Sequence, residues 1–139
     1  MIIQAAAIVG SEIAEFTLRD FIQWVRTNSD GDEIGDKETD AEITGYVSSG
    51  SSKLYIQGSP VARLNDITSE SARSLTRPEG SRWRIVSRTS GNGRITGGVS
   101  TSLYVEGQPV AFIGSMVTSF ADSEEIPLVT GSNHFYSAR

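Results

Sequence analysis

The sequence predicts a mainly β domain built from a short repeated unit, and three observations carry that prediction. A nine-residue segment, Leu54 to Ala62, returns as Leu103 to Ala111, 49 residues later. Six of its nine positions are identical, and Ile56/Val105 is a conservative seventh. Pieces of the same unit stand near both ends of the chain. The composition, with 14 glycines and recurrent Ser and Thr, favours many short strands and turns over long helices.

Each copy has the chemistry of a strand, a tight turn and a strand. Leu54-Tyr55-Ile56 and Leu103-Tyr104-Val105 are aromatic and branched runs suited to strands. Gln57-Gly58-Ser59-Pro60 and Glu106-Gly107-Gln108-Pro109 are turn signals, because Gly supplies positive φ and Pro fixes φ near about −65°. Val61-Ala62 and Val110-Ala111 then begin the return strand. The likeness continues through Arg63-Leu64-Asn65-Asp66 and Phe112-Ile113-Gly114-Ser115. Gly50, Gly98 and Gly131 precede the first strands, where the chain must bend or pass close to another backbone.

The terminal pieces complete a third copy. Ala6-Ala7-Ile8-Val9-Gly10-Ser11 matches Val110 to Ser115, a second half. Val129 to Tyr136 matches Ser48 to Tyr55, a first half. Two whole repeats and one split between the termini predict a single closed domain over 1–139, with pseudo-threefold symmetry and its ends meeting on the third face. Its repeat parts are 5–11, 43–69, 95–119 and 128–136, with insertions at 12–42 and 70–94. Closure would also hide strand edges.

The insertions differ in character. In the first, Leu18, Phe21, Ile22 and Val25 suit a helix face, while Phe16, Leu18, Ile22 and Trp24 suit a strand face; the pattern leaves both open. Phe21 and Trp24 are expected to cover the side of the domain. Residues 30–42 hold seven acids and one Lys, and read as a solvated acidic loop. They fail as a Ca²⁺ loop because Ile34 and Ala41 fall where ligands are required. In the second insertion, Arg73, Arg77, Arg82, Arg84, Arg88 and Arg94 stand against Glu70 and Glu79. Ser81 to Arg88 alternates as a strand would, and Ser90-Gly91-Asn92-Gly93 reads as its turn. The opposite charges predict that the two insertions meet through Arg–carboxylate pairs.

No catalytic centre is legible. The chain has no Cys and one His, which removes thiolate ligands and leaves no imidazole cluster. Neither a nucleophile–base arrangement nor a phosphate loop is found. The expectation is therefore no catalytic, cofactor or metal site. The net charge of −5 argues against a specific nucleic-acid partner. No apolar run approaches the roughly 20 residues of a membrane-spanning helix. Met1 to Ala5 lacks the basic start of a secretory leader.

The order of half-repeats, with Pro60-Val61-Ala62-Arg63 leading to Asp66 and Pro109-Val110-Ala111 leading to Gly114, resembles the PAAR-repeat spike-tip proteins of contractile injection systems, in phage tails or type VI secretion. The resemblance covers about half of the chain. It implies a PAAR-like β-cone that caps and sharpens a homotrimeric β-helical spike, one tip per trimer. Other baseplate proteins and transient contact with the target envelope are implied as well. It also implies residence in the virion, at the tail baseplate, with export from a bacterial cytoplasm as the alternative. Its motif residues here are Gly58, Pro60, Val61, Ala62, Asp66, Gly107, Pro109, Val110, Ala111 and Gly114. Two departures stand out. His134, the single His, aligns with Lys53 and Ser102 and with no ligand position of the family. The closing Asp is kept only as Asp66, with Ser11 and Ser115 in the matching places. A toxin or enzyme carried by such a machine, or a small ligand-binding β-domain using Trp83, Tyr55 and Tyr104, is the alternative reading.

Overall fold

The structure is a computed structural model that describes residues 3–122, 125–132 and 136–138, with side chains for 5–122 and 125–132. It is mainly β, without a helix among the described residues. His134 lies outside them.

Three short two-stranded antiparallel ladders, a three-stranded sheet and a five-stranded sheet make up the described residues. Strand β1 (Ile3–Ala5) pairs with β14 (Tyr136–Ala138), so the chain ends are joined. Strands β4 (Tyr55–Ile56) and β5 (Ser59–Pro60) form the second, a hairpin. Strands β10 (Tyr104–Val105) and β11 (Gln108–Pro109) form the third, also a hairpin. The two central turns share one backbone, with positive φ at Gln57 and Gly58 (49° and 84°) and at Glu106 and Gly107 (54° and 80°). Positive φ at both central residues matches the right-handed twist of the flanking strands, and Gly at the second position carries it without strain. Segments 54–62 and 103–111 therefore adopt the same fold. In backbone register Tyr136 pairs with Ala5 as Tyr55 pairs with Pro60 and Tyr104 with Pro109.

The hairpins converge on one feature. The Ala7 N–H donates to Ala111 O, the Ala111 N–H to Ala62 O, and the Ala62 N–H to Ala7 O, each at 2.9 Å. This is a closed ring of three backbone bonds, and all three alanines are fully buried. Successive side chains of an extended segment point to opposite faces. On one side of the ring, Ala6, Val61, Val110 and Phe112 pack with Leu54, Ile56, Leu103 and Val105 of the hairpins. On the other, the ring alanines pack with Ile13, Val47, Ile95, Val117 and Leu128. Gly50 and Gly131 sit where backbones nearly touch: a Cβ at Gly131 would lie 2.7 Å from Ala6 O, and one at Gly50 would lie 2.9 Å from Val61 O.

Beyond the ring three excursions leave the core. The first is a long hairpin, β2 (Phe16–Thr27) with β3 (Glu33–Val47). The second runs through β6 (Thr68–Ser74), β7 (Trp83–Ile85) and β8 (Ser90–Gly91) and returns on β9 (Arg94–Gly97). The third is a short hairpin, β12 (Met116–Thr118) with β13 (Glu125–Pro127), and β12 also pairs with β9. The first two merge into a curled half-barrel sheet ordered β7-β2-β3-β6-β8.

The strand reading of 16–26 is the one realised. Arg19 to Phe21 bulge opposite Asp40, with positive φ at Asp20. Three residues against one preserve the alternation, so Phe16, Leu18, Ile22 and Trp24 stay on one face. Phe21 and Trp24 join this sheet's own apolar cluster with Ala41, Ile43, Ala72 and Trp83. Phe21 meets Phe120 edge to face at 6.2 Å. The Trp24 Nε1–H donates to Thr39 Oγ1 at 2.8 Å, and Thr39 is hydrogen-bonded to Ser74 Oγ at 2.7 Å, which ties three strands together.

Three expectations need correction. The acidic segment is a loop only at its start: from Glu33 it is strand β3. Asp36, Glu38, Asp40 and Glu42 occupy alternate positions, and Thr39, Ala41 and Ile43, in the opposite phase, are buried. Ser90-Gly91 is not a turn but a strand on β6, and β7 pairs with β2 instead of folding back on its own neighbour. The two insertions do meet, but through the backbone ladder. Among the described residues only Arg73 reaches a carboxylate of the acidic segment, Glu42, at 3.3 Å. Pairing sets β6 beside 41–47, away from the outer acids, and puts β7 beyond β2.

Among the described residues, Phe112 is the largest fully buried side chain. Phe112→Ala should lower unfolding free energy by about 3–5 kcal/mol. Ile34→Ala, at a position 56% exposed on the outer hairpin, should change it by less than about 1 kcal/mol. Urea denaturation of the two variants measures both.

Candidate functional site

The ring and its hairpins bring together the residues that the repeat singled out. Gly58 and Gly107 are the turn glycines, Pro60 and Pro109 end the return strands β5 and β11, and Val61, Ala62, Val110 and Ala111 are buried at the ring. Gly114 has φ of 95°, and Gly10 and Asn65 take the same left-handed conformation at 99° and 73°. Asn tolerates that region better than other non-glycine residues.

The closing position works through one bond in all three places. The Ile8 N–H donates to Ser11 Oγ and the Phe112 N–H to Ser115 Oγ, both at 2.9 Å. The Arg63 N–H donates to Asp66 Oδ2 at 2.7 Å. A hydroxyl or a carboxylate oxygen three residues on thus accepts the same orphan donor. Ser11 and Ser115 thus make the same closing bond as Asp66. Each of these residues then hands the chain to a partner strand: the N–H groups of Val47, Ile95 and Leu128 donate to the carbonyls of Ser11, Asp66 and Ser115.

Asp66 does more than the serines. Its carboxylate also accepts from Arg63 Nε (3.1 Å), Arg63 Nη2 (3.2 Å) and Ser49 Oγ (3.0 Å). Arg63 Nη1 reaches Glu106 Oε1 at 3.2 Å, across to the turn of the neighbouring hairpin. Glu106 in turn accepts from Ser51 Oγ (2.6 Å), Ser52 N–H (2.9 Å) and Ser52 Oγ (2.9 Å). Ser51 Oγ accepts the Lys53 and Leu54 N–H groups, as Ser100 Oγ accepts those of Ser102 and Leu103. The cluster Asp66–Arg63–Glu106–Ser51 therefore staples two hairpins together. The Ser51 and Ser52 bonds, then Arg63, hold the Glu106 carboxyl below the ordinary glutamate range. The Asp66 partner raises the Arg63 guanidinium further above its already high value.

The staple was not read from the sequence. Its signal was there: Glu106 replaces Gln57 and Arg63 replaces Phe112, two charged departures at matched repeat positions. Only the fold shows that they face each other. A second buried carboxylate, Glu70, is 3% exposed and accepts from Thr68 Oγ1 and Ser119 Oγ at 2.5 Å each, joining the second and third excursions.

The aromatics considered for a small ligand are dispersed. Tyr55 and Tyr104 stand half-exposed on the hairpins, whereas Trp83 packs in the sheet. A cleft of about 460 Å³ between the core and the sheet is lined by Glu12, Glu15, Tyr46 and Glu70, and by none of those three aromatics.

No protein-family model matches the chain, and no curated protein matches it by sequence.

The staple has a pH signature. Glu106 titrates lower in the folded chain than when unfolded, so its contribution to stability is present above the ordinary glutamate value and lost as pH falls through the folded one. Thermal melts should show wild type above Glu106→Gln at pH 7, with the gap closing as the pH drops below about 4.5. A gap that stays constant to pH 3 would remove Glu106 from the staple.

Proposed function

We propose that the chain is a structural spike tip: a pseudo-threefold, PAAR-like β-cone that caps a homotrimeric β-helical spike in a contractile tail or injection machine and sharpens it for piercing a cell envelope. One observation carries the reading, the closed ring of Ala7, Ala62 and Ala111 with a two-stranded ladder at each corner. A single chain that offers three near-equivalent faces is suited to a partner with three identical ones. A motif-rich β unit without a nucleophile–base pair fits a mechanical part better than a catalyst.

The hairpin end is the docking end on this reading. Excursions of unequal length leave from the other side of the ring and destroy any threefold match there. At the hairpin end the exposed Tyr55 and Tyr104 occupy matched positions, at 51% and 56% exposure. Aromatic anchors of this kind suit an interface centre. The five-stranded sheet then points outward, as a forward extension of the tip. Phage and phage-like tails and bacterial secretion machines are equally served by such a part, and the virion baseplate is the proposed location.

The test is assembly with a trimeric β-helical spike fragment, followed by sedimentation. One tip per trimer is expected, with little dependence on salt. Tyr55→Glu with Tyr104→Glu should weaken assembly by about tenfold or more while leaving the melting curve near that of wild type. Three tips per trimer, or undiminished assembly of the double variant, would count against the docking end and the stoichiometry.

A further inference from the structure

The second excursion carries an arginine-rich strip, and among the described residues Arg82, Arg84 and Arg88 of that strip make no ion pair. Strand β7 is one edge strand of the sheet and, among the described residues, pairs with β2 alone. Arg82, Arg84 and Arg88 on and beside it are exposed. Arg82 Nη1 reaches the Asn28 carbonyl at 3.4 Å, and Arg88 Nε the Ser90 carbonyl at 3.0 Å. Arg26 on β2 lies over the Trp83 ring at 5.9 Å. Between the arginines stand two exposed aliphatic residues, Ile85 at 40% and Val86 at 45%. Glu33 and Asp36 on β3 are the nearest acids by register, one strand further in: Glu33 is opposite Thr27, which bonds to Arg82 O, and Asp36 is opposite Val25, the partner of Arg84.

We propose that this edge, Arg82 to Arg88 with Arg26, is a contact surface for anionic lipid headgroups of a bilayer. Guanidinium groups match phosphate oxygens in a two-point geometry and dehydrate at lower cost than ammonium groups. Clustered basic residues are drawn to anionic membrane surfaces, and the attraction falls off within a Debye length. An exposed aliphatic pair flanked by arginines suits an interfacial segment. Ile85 and Val86 favour a bilayer over nucleic acid, since the headgroup–acyl boundary takes up an exposed aliphatic pair. The strip is local: the whole chain carries −5. The inference stands apart from the spike reading, because it concerns the opposite part of the molecule and needs no trimer.

Flotation of the full chain with vesicles tests it. Binding is expected to vesicles of phosphatidylcholine mixed with phosphatidylglycerol, not to phosphatidylcholine alone, and should weaken as salt rises. Replacing Arg82, Arg84 and Arg88 together by Gln should weaken it by roughly a hundredfold. Their replacement by Lys should retain most of it and shows that the Gln variant's loss is one of charge and not of folding, which circular dichroism checks directly. Arg73→Gln, at the ion pair with Glu42, should leave binding unchanged. Equal binding to both vesicle types, no binding, or full binding by the Gln variant overturns the proposal. So does tighter binding to a short DNA duplex that the same Gln substitutions abolish, which would assign the strip to nucleic acid.

Discussion

Three backbone hydrogen bonds set the terms for everything else in this molecule. Ala7, Ala62 and Ala111 are completely buried, so their N–H and C=O groups must find partners inside the protein. No helix or local turn supplies them. Each segment instead satisfies the next, and the ring closes only when all three are present. The requirement explains the small side chains at the ring, where three segments converge. It also explains why the two ends of the chain pair with each other: without β1 and β14 one corner would be missing, and buried polar groups would be left without partners.

The ring also fixes where the excursions begin. Ser11, Asp66 and Ser115 each close their segment with the same short bond and pass the chain to Val47, Ile95 and Leu128. All three departures therefore stand on one side of the ring. Neighbouring departures of sufficient length can pair, and the first two do so, over seven register positions between β3 and β6. Their cohesion is that of a sheet: a ladder, a shared apolar face around Ile22, Trp24 and Ile43, and the chain from Trp24 through Thr39 to Ser74. Opposite net charge in the two segments had a small part in it, as exposed ion pairs contribute little. The arginines left over on the far edge are the consequence, and they give that edge a chemistry of its own.

Charge is placed differently within the repeat. Arg63 stands where the other segments have Ile8 and Phe112, in a position that otherwise feeds the apolar layer. It is accommodated because Asp66 replaces a serine and Glu106 replaces a glutamine at matched positions. One corner of the ring is thus ionic where the others are apolar, and the three corners are not interchangeable. The staple marks that corner and gives the hairpin end a chemical asymmetry.

Much of this was written in the chain. The 49-residue recurrence specified the hairpins, because Gln57-Gly58 and Glu106-Gly107 can turn in few ways and the flanking residues are strand formers. The half-repeats at the termini specified that the ends should meet. Alternation in 36–43 was also present, but a count of acids obscures it, since a strand with one charged face resembles a solvated loop in composition. What the sequence could not decide was partnership. Whether Phe16 to Trp24 formed a helix or a strand depended on β3 and β7 lying beside it. The pairing of β7 with β2, and of Glu106 with Ser51 and Arg63, depended on segments brought together only by the closed ring. Local residues determine turns and alternation, because those are satisfied within a few bonds of the backbone. Strand neighbours and charge neighbours are long-range, and only the tertiary structure chooses them.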